Sequence, residues 1–231
     1  RWTADLRPKA SQLTPERAAL AEAVRTFAQR ECGTREQRDR LTHDGRDAHS
    51  QEVVGKLAQL GWLGVAFPEE YGGGGGDVVD ACILLEELAH GQVPVFGLGI
   101  SMIVARTVLN YGTEEQKHRI IGGFCRGEVS SVAMSEPGSG SDVGSLQCRA
   151  RRIGDEYVVD GQKTWISCAH YADRILLVCR TADEGSKHRG ITMLEVPTDA
   201  PGLEIRPIEN LGGAEINEVF LTDVRIPSDQ V

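Results

Sequence analysis

The sequence has little of what several function classes require. It contains no run of 18 apolar residues, so no segment reads as a membrane-spanning helix. Basic residues are outnumbered, 25 Lys+Arg against 34 Asp+Glu, and a net charge of −9 argues against sequence-independent nucleic-acid binding, which needs a basic face. Six cysteines are present, Cys32, Cys82, Cys125, Cys148, Cys168 and Cys179, but no CxxC pair, so zinc ribbons and thioredoxin-type redox sites find no support. In a chain this long they read as reduced structural thiols. There is no HExxH, and the closest histidines, His43 and His49, lie in a polar stretch, so no metal site is expected. The opening Arg1-Trp2-Thr3-Ala4-Asp5 lacks the apolar region of a signal peptide. The glycine run at 72–76 is not followed by GK[ST]; a flexible surface loop is expected there, not a phosphate loop.

What is present describes a globular chain. Hydrophobic residues make up 40% of 231, enough for a substantial core in one large domain or two ordinary ones. The character changes near residue 130. Before it, the pattern is helical. Thr14-Pro15-Glu16 is a start signal, followed by Leu20, Val24, Phe27 and Ala28 on one face. Val53, Leu57 and Leu60 repeat that spacing before Gly61. Asp77 can cap a helix carrying Cys82, Ile83, Leu85 and Leu88, a further apolar segment runs from Ile100 to Leu109, and Thr113-Glu114-Glu115-Gln116 is a capping box. After residue 130 the chain reads as strands: 157–159 and 164–166 flanking an Asp160-Gly161 hairpin turn, then 174–181, 190–196, 203–208 and 218–224. The expected fold is α+β: an all-α domain over 1–129, then an antiparallel β-barrel-like domain over 130–231.

Two segments can carry chemistry. Ser135-Glu136-Pro137-Gly138-Ser139-Gly140-Ser141-Asp142 completes neither GxGxxG nor GxSxG, yet it joins many backbone N–H groups, little bulk and several hydroxyls. Such a loop can approach a flat polar ligand and hold anionic oxygens, or it can be a plain turn. In Trp165-Ile166-Ser167 the indole either packs into a core or, with a hydroxyl two residues on along the same strand face, stacks on a heteroaromatic ring.

Six segments, in order, resemble the acyl-CoA dehydrogenases, a family of flavoproteins. They are Pro68-Glu69-Glu70-Tyr71-Gly72-Gly73, Glu86-Glu87-Leu88-Ala89, Tyr111-Gly112-Thr113-Glu114-Glu115-Gln116-Lys117, Ala133-Met134-Ser135-Glu136-Pro137 through Ser141-Asp142, Lys163-Thr164-Trp165-Ile166-Ser167, and Phe220 to Pro227. The resemblance covers nearly the whole chain. It implies a helical N-terminal domain, a β-barrel-like middle domain and FAD as cofactor. It implies that Met134 and Ser135 contact the isoalloxazine largely through the backbone. Ser141 would lie near both FAD and the CoA thioester, as a cofactor and a substrate residue. Trp165 would cover one flavin face, Ile166 would flank it, and Ser167 would donate its hydroxyl towards N5. Glu136 and Asp142 are expected to fix the loop, and Lys163 to position the strand. Where the family often has an aromatic, Thr, Ala and an Asn-Gly pair, this sequence has Val132, Ser135, Ser139 and Cys168-Ala169; Ser135 keeps the hydroxyl.

The implied reaction is α,β-dehydrogenation of an acyl-CoA to the 2-enoyl-CoA, with electron-transfer flavoprotein as electron acceptor and a homo- or hetero-oligomer as the assembly. The expected compartment is the cytoplasm of a bacterium or the mitochondrial matrix of a eukaryote. The family's catalytic Glu lies in a helical C-terminal domain, which the resemblance places beyond Val231, so none of the 34 acids is assigned as base. The 231 residues are therefore expected to belong to a longer protein, with an intact mass well above 25.1 kDa. A mass near 25.1 kDa favours the alternative of a non-catalytic subunit that pairs with an active homologue. A third alternative is a sister flavoenzyme on this scaffold: an acyl-CoA oxidase, a nitroalkane oxidase or a flavin monooxygenase.

Overall fold

The computed structural model describes residues 13–182, 185–211 and 213–231, and the opening Arg1–Asp5 segment lies outside them. Six α-helices come first: α1 (Pro15–Cys32), α2 (Arg35–Leu41), α3 (Gln51–Gln59), α4 (Val78–His90), α5 (Phe96–Tyr111) and α6 (Glu114–Cys125). Their starts follow local chemistry. Thr14 accepts the Arg17 N–H ahead of Pro15, and Asp77 and Thr113 each form a reciprocal capping box, with Asp80 and Gln116. Val24, Phe27 and Ala28 of α1 pack with Val53 and Leu57 of α3 and Leu84 and Leu88 of α4 in one core.

Three sequence expectations change here. Leu60 is 48% exposed, because α3 ends at Gln59 and Gly61, at φ +72°, turns the chain; Leu63 is the residue that returns to the core. Cys82 and Leu85 lie on the outer side of α4. The 72–76 glycines are on the surface but pinned: the N–H groups of Gly74, Gly75 and Gly76 donate to the carbonyls of Gly64, Phe67 and Val65, each at 2.9 Å. A Cβ on Gly73 would sit 2.1 Å from the Phe67 carbonyl oxygen. Gly73→Ala is therefore expected to cost more than about 2 kcal/mol, read as a lowered denaturant midpoint. An unchanged midpoint would show that the strap yields freely.

Seven strands follow: β1 (Ser130–Ala133), β2 (Arg149–Ile153), β3 (Glu156–Ser167), β4 (Arg174–Arg180), β5 (Ile191–Pro197), β6 (Leu203–Asn210) and β7 (Gly213–Pro227). They form one curled sheet, a half-barrel, in the order β1-β4-β2-β3-β7-β6, with β5 on β4. The sheet is mixed: β1 and β2 run parallel to β4, while the other pairs are antiparallel. The parallel pairs arise because a long excursion through the 134–148 loop and the β2–β3 hairpin separates β1 from β4.

The Asp160-Gly161 hairpin is not formed. β3 runs straight through both residues, and its pairing with β7 shifts between Val159 and Gly161. The glycine serves a close approach there: a Cβ on Gly161 would lie 2.7 Å from the Cys148 side chain. Asp160 instead accepts the Asp223 N–H at 3.0 Å. The true two-residue turn is Gly154-Asp155, with Gly154 at φ +64°.

β4 is buried on both faces, which explains its unbroken apolar run. Ile175, Leu177 and Cys179 enter the sheet core, while Leu176 packs against Val104 and Val108 of α5 and Ile120 of α6. Polar links reinforce this junction. Ser101 Oγ accepts the Ser130 N–H at 2.9 Å, and Arg119 pairs with Glu195 at 2.6 Å. All six cysteines are free.

Candidate functional site

Two segments meet at one end of the half-barrel. The first is the loop after β1, and a buried ion pair holds it. Lys163 Nζ, fully buried on β3, donates to Glu136 Oε1 at 2.8 Å and to the Met134 carbonyl at 2.9 Å. Glu136 also accepts the N–H groups of Gln147 at 2.6 Å and Cys148 at 2.9 Å. Burial alone would push this carboxyl up, but Lys163 and the two amides outweigh it and hold it below its ordinary value. At the outer edge, Asp142 pairs with Lys187 at 2.8 Å and accepts the Ser145 hydroxyl at 2.6 Å. Glu136 and Asp142 thus both act as loop fasteners, and the Ser135 and Ser141 hydroxyls make no hydrogen bond within the described residues.

The second segment is the end of β3. The Thr164 N–H donates to the Ser135 carbonyl at 2.9 Å, tying the two segments together. Pairing with β7 shifts again between Lys163 and Ile166, so Trp165 sits in a bulge. It takes a left-handed φ of +62° and is 66% exposed. The core-packing alternative for this indole is therefore overturned, and the simple two-residue alternation with Ser167 is broken. Ile166 faces inward and is buried. Three residues on, Cys168 is again left-handed, at φ +67°. Two non-glycine residues held at positive φ on either side of Ser167 mark a segment whose shape is imposed by its surroundings. An exposed indole and, within the described residues, an unengaged Ser167 hydroxyl form a set suited to a planar, hydrogen-bonding heteroaromatic ring.

Residues 14–128 match the acyl-CoA dehydrogenase N-terminal domain, and residues 131–224 match the acyl-CoA dehydrogenase middle domain. The chain belongs to the acyl-CoA dehydrogenase family. It is 40% identical over 181 residues to acyl-CoA dehydrogenase FadE26 of Mycobacterium tuberculosis, covering 77% of this chain and 45% of that protein. The ChsE4-ChsE5 complex from Mycobacterium tuberculosis is similar in structure at 36% identity, with a TM-score of 0.83 over 95% of this chain and 56% of the other. A glutaryl-CoA dehydrogenase from Mycobacterium smegmatis, solved in complex with FADH2, matches at 26% identity and a TM-score of 0.80 over 96% of this chain and 56% of the other. The chain spans about half the length of the curated relatives it matches.

Within this acyl-CoA dehydrogenase scaffold, Met134, Ser135, Trp165, Ile166 and Ser167 are brought together by the Lys163 and Thr164 contacts. Ser141 lies further out, exposed, beside the Asp142–Lys187 pair. Several residues that shape the site were missed in the sequence. Asn217 and Glu215 of β7, Ser131 of β1 and Tyr171 all contact the end of β3 or the turn after it. The Cys168 N–H donates to the Glu215 carbonyl at 2.8 Å. The Glu215 carboxylate accepts the Tyr171 hydroxyl and the Ala48 N–H, each at 2.6 Å, and so latches the sheet to the helical half. The signal was available: Glu215, Asn217, Val219 and Leu221 alternate inward along β7, so two polar residues stand at core positions.

Next to this latch a cleft of 720 Å³ is lined by Arg40, His43, His49, Tyr171, Asp173 and Glu215, among others. His49 stacks on Tyr171, ring centroids 4.6 Å apart, and its Nδ1 accepts the Gly97 N–H at 3.2 Å, which fixes a neutral ring. Burial lowers its pKa from 6.5. The unfolded chain then takes up a proton near pH 6.5 that the folded chain resists, so stability falls as the pH drops below that value. Thermal melts are expected to show this loss on acidification, and His49→Asn is expected to flatten it. An equal slope in the variant would assign the loss to other groups. Among the described residues no group of His, Cys, Asp and Glu is placed to hold a metal ion, and no helix is long and apolar enough to cross a membrane.

Proposed function

We propose that this chain forms the FAD- and thioester-binding part of an enzyme that dehydrogenates an acyl-CoA to its 2-enoyl-CoA. The observation that carries the reading is the strained, exposed Trp165 beside the free Ser167 hydroxyl, tied to the Met134–Ser135 backbone. Met134, Ser135 and Ser167 would hold the isoalloxazine, Ile166 taking part by its main chain alone because its side chain is buried in the sheet core, with the Trp165 ring covering one face and excluding water. Bound there, FAD supplies the hydride acceptor, which no side chain can. Ser167 offers its hydroxyl to the ring edge, and Ser141 offers one towards both the cofactor and the thioester. Amide and hydroxyl donors of this kind favour the enolate-like oxygen that develops as the α-proton leaves.

A base must still take that proton at hydrogen-bond range. Among the described residues the buried carboxylates are engaged: Glu87 with Arg25, Glu136 with Lys163, Glu195 with Arg119 and Arg174, and Glu215 with Tyr171 and Ala48. The proposal therefore assigns the base to a helical C-terminal domain of the family type. It also takes electron-transfer flavoprotein as electron acceptor, an oligomeric assembly and, given its bacterial relatives, a cytoplasmic setting.

The test is anaerobic addition of acyl-CoA substrates to the FAD-loaded full-length protein. Bleaching of the flavin is expected with at least one acyl chain; no bleaching across chain lengths and branching would overturn the reading. A second reading, a subunit that works only with a homologous partner, is favoured by similarity to the ChsE4-ChsE5 complex. It predicts stable 1:1 co-purification with the homologue and no bleaching by the chain alone.

A further inference from the structure

The end of β3 is gripped from two sides by buried side chains. Ser131 on β1 donates its hydroxyl to the Ser167 carbonyl at 2.6 Å. Asn217 on β7 donates its amide to the Ile166 carbonyl at 2.9 Å and to the Glu215 carbonyl at 3.3 Å. Both residues are fully buried. The orientation of the Asn217 amide is determined by its neighbours. Two carbonyls face Nδ2, and Oδ1 faces His170 Nδ1 at 3.0 Å. Two consecutive carbonyls are thus fixed by donors from two different strands. On either side of them, Trp165 and Cys168 are held at positive φ.

These facts have one physical consequence. A non-glycine residue keeps a left-handed φ only where its surroundings over-determine it. Ladder hydrogen bonds cannot do this here, because the register shift between Lys163 and Ile166 interrupts the β3–β7 ladder at Trp165. The carbonyls of Ile166 and Ser167 set the planes of the peptides that bracket the Ser167 side chain. Turning either peptide turns the Ser167 hydroxyl and, through the bulge, the Trp165 ring.

We propose that Ser131 and Asn217 are positioning residues: they clasp the Ile166 and Ser167 carbonyls and thereby set the aim of the Trp165 ring and the Ser167 hydroxyl at the flavin. The proposal rests on the functional reading above for the flavin itself; the clasp stands on the contacts alone. Neither residue touches the ring. Each acts through the backbone of β3.

The test uses Ser131→Ala and Asn217→Asp, the second keeping the volume while removing the N–H donor. In the flavin-free protein, amide hydrogen exchange over residues 164–168 is expected to quicken in both variants, with the rest of the sheet unchanged. In the FAD-loaded full-length protein, the visible flavin bands are expected to shift. The rate of flavin reduction should fall about ten- to hundredfold, as a misaimed group does, while the acyl-CoA dissociation constant changes by less than about threefold. Unchanged exchange in both variants would overturn the clasp. Faster exchange with unaltered flavin bands and reduction rate would overturn the aiming role. If wild-type protein binds no FAD, the functional reading fails, and the exchange data still judge the clasp. If Asn217→Asp does not fold, Ser131→Ala, which removes a single hydroxyl, decides the outcome by the same readouts.

Discussion

Lys163→Met should lower the unfolding free energy by about 3–5 kcal/mol, because it strands a buried carboxylate. The Lys163 side chain is 0% exposed and that of Glu136 is 6% exposed. Removing the ammonium leaves Glu136 with two amide donors and the full penalty of burial. The sign of the pH dependence is expected to reverse with it. In the wild type the Glu136 carboxyl is held below 4.5, so its contribution is present above that value and is lost as the pH falls through the lowered one. In Lys163→Met burial dominates and the carboxyl rises, so acidification protonates it in the folded state and restores stability. Denaturant midpoints across acidic to neutral pH check both statements. FAD should also be released, since Lys163 fixes the Met134 carbonyl. A midpoint like that of the wild type would mean that the ion pair contributes little.

Trp165→Gly should separate stability from binding. At φ +62° a glycine relieves the backbone strain an L residue carries, and the indole, at 66% exposure, gives up little packing. The flavin-free variant is expected to be as stable as the wild type or more stable by about 1 kcal/mol. FAD affinity is expected to fall by about 2 kcal/mol, roughly thirtyfold in Kd, with the loss of an aromatic face that would be buried against the ring. Thermal melts of the flavin-free variant and an FAD titration give the two numbers. A destabilised apoprotein with unchanged affinity would assign Trp165 to packing instead.

The division into a helical half and a strand half was legible because each carries its own period and its own punctuation. Thr14-Pro15, Asp77 and Thr113 start the helices that their cap chemistry predicts. Asp160-Gly161 misled for a physical reason. A glycine required for close approach to Cys148 looks, in sequence, the same as one required for a turn. Glu136 was expected to fix the loop and Lys163 to position the strand, and the structure joins the two in one buried pair. The exposure of Trp165 was not readable from propensity, because it depends on a bulge set by the β7 register. The clasp was invisible for a similar reason. Ser131 meets Ser167, and Asn217 meets Ile166, only when residues 36 and 51 positions apart in the chain are brought together. What the sequence did display was a polar Asn217 at an inward position of an alternating strand, a conflict that a functional site resolves.

The most direct test of this account is to titrate FAD into the flavin-free protein and follow tryptophan fluorescence. The sequence has three tryptophans. Trp62 packs edge-on against Phe27 in the helical core, centroids 5.6 Å apart, and Trp165 stands at the proposed ring site. Saturable quenching that is largely lost in Trp165→Phe is the predicted result. Quenching of equal size in the variant, or none in the wild type, would contradict the placement of the flavin against the end of β3.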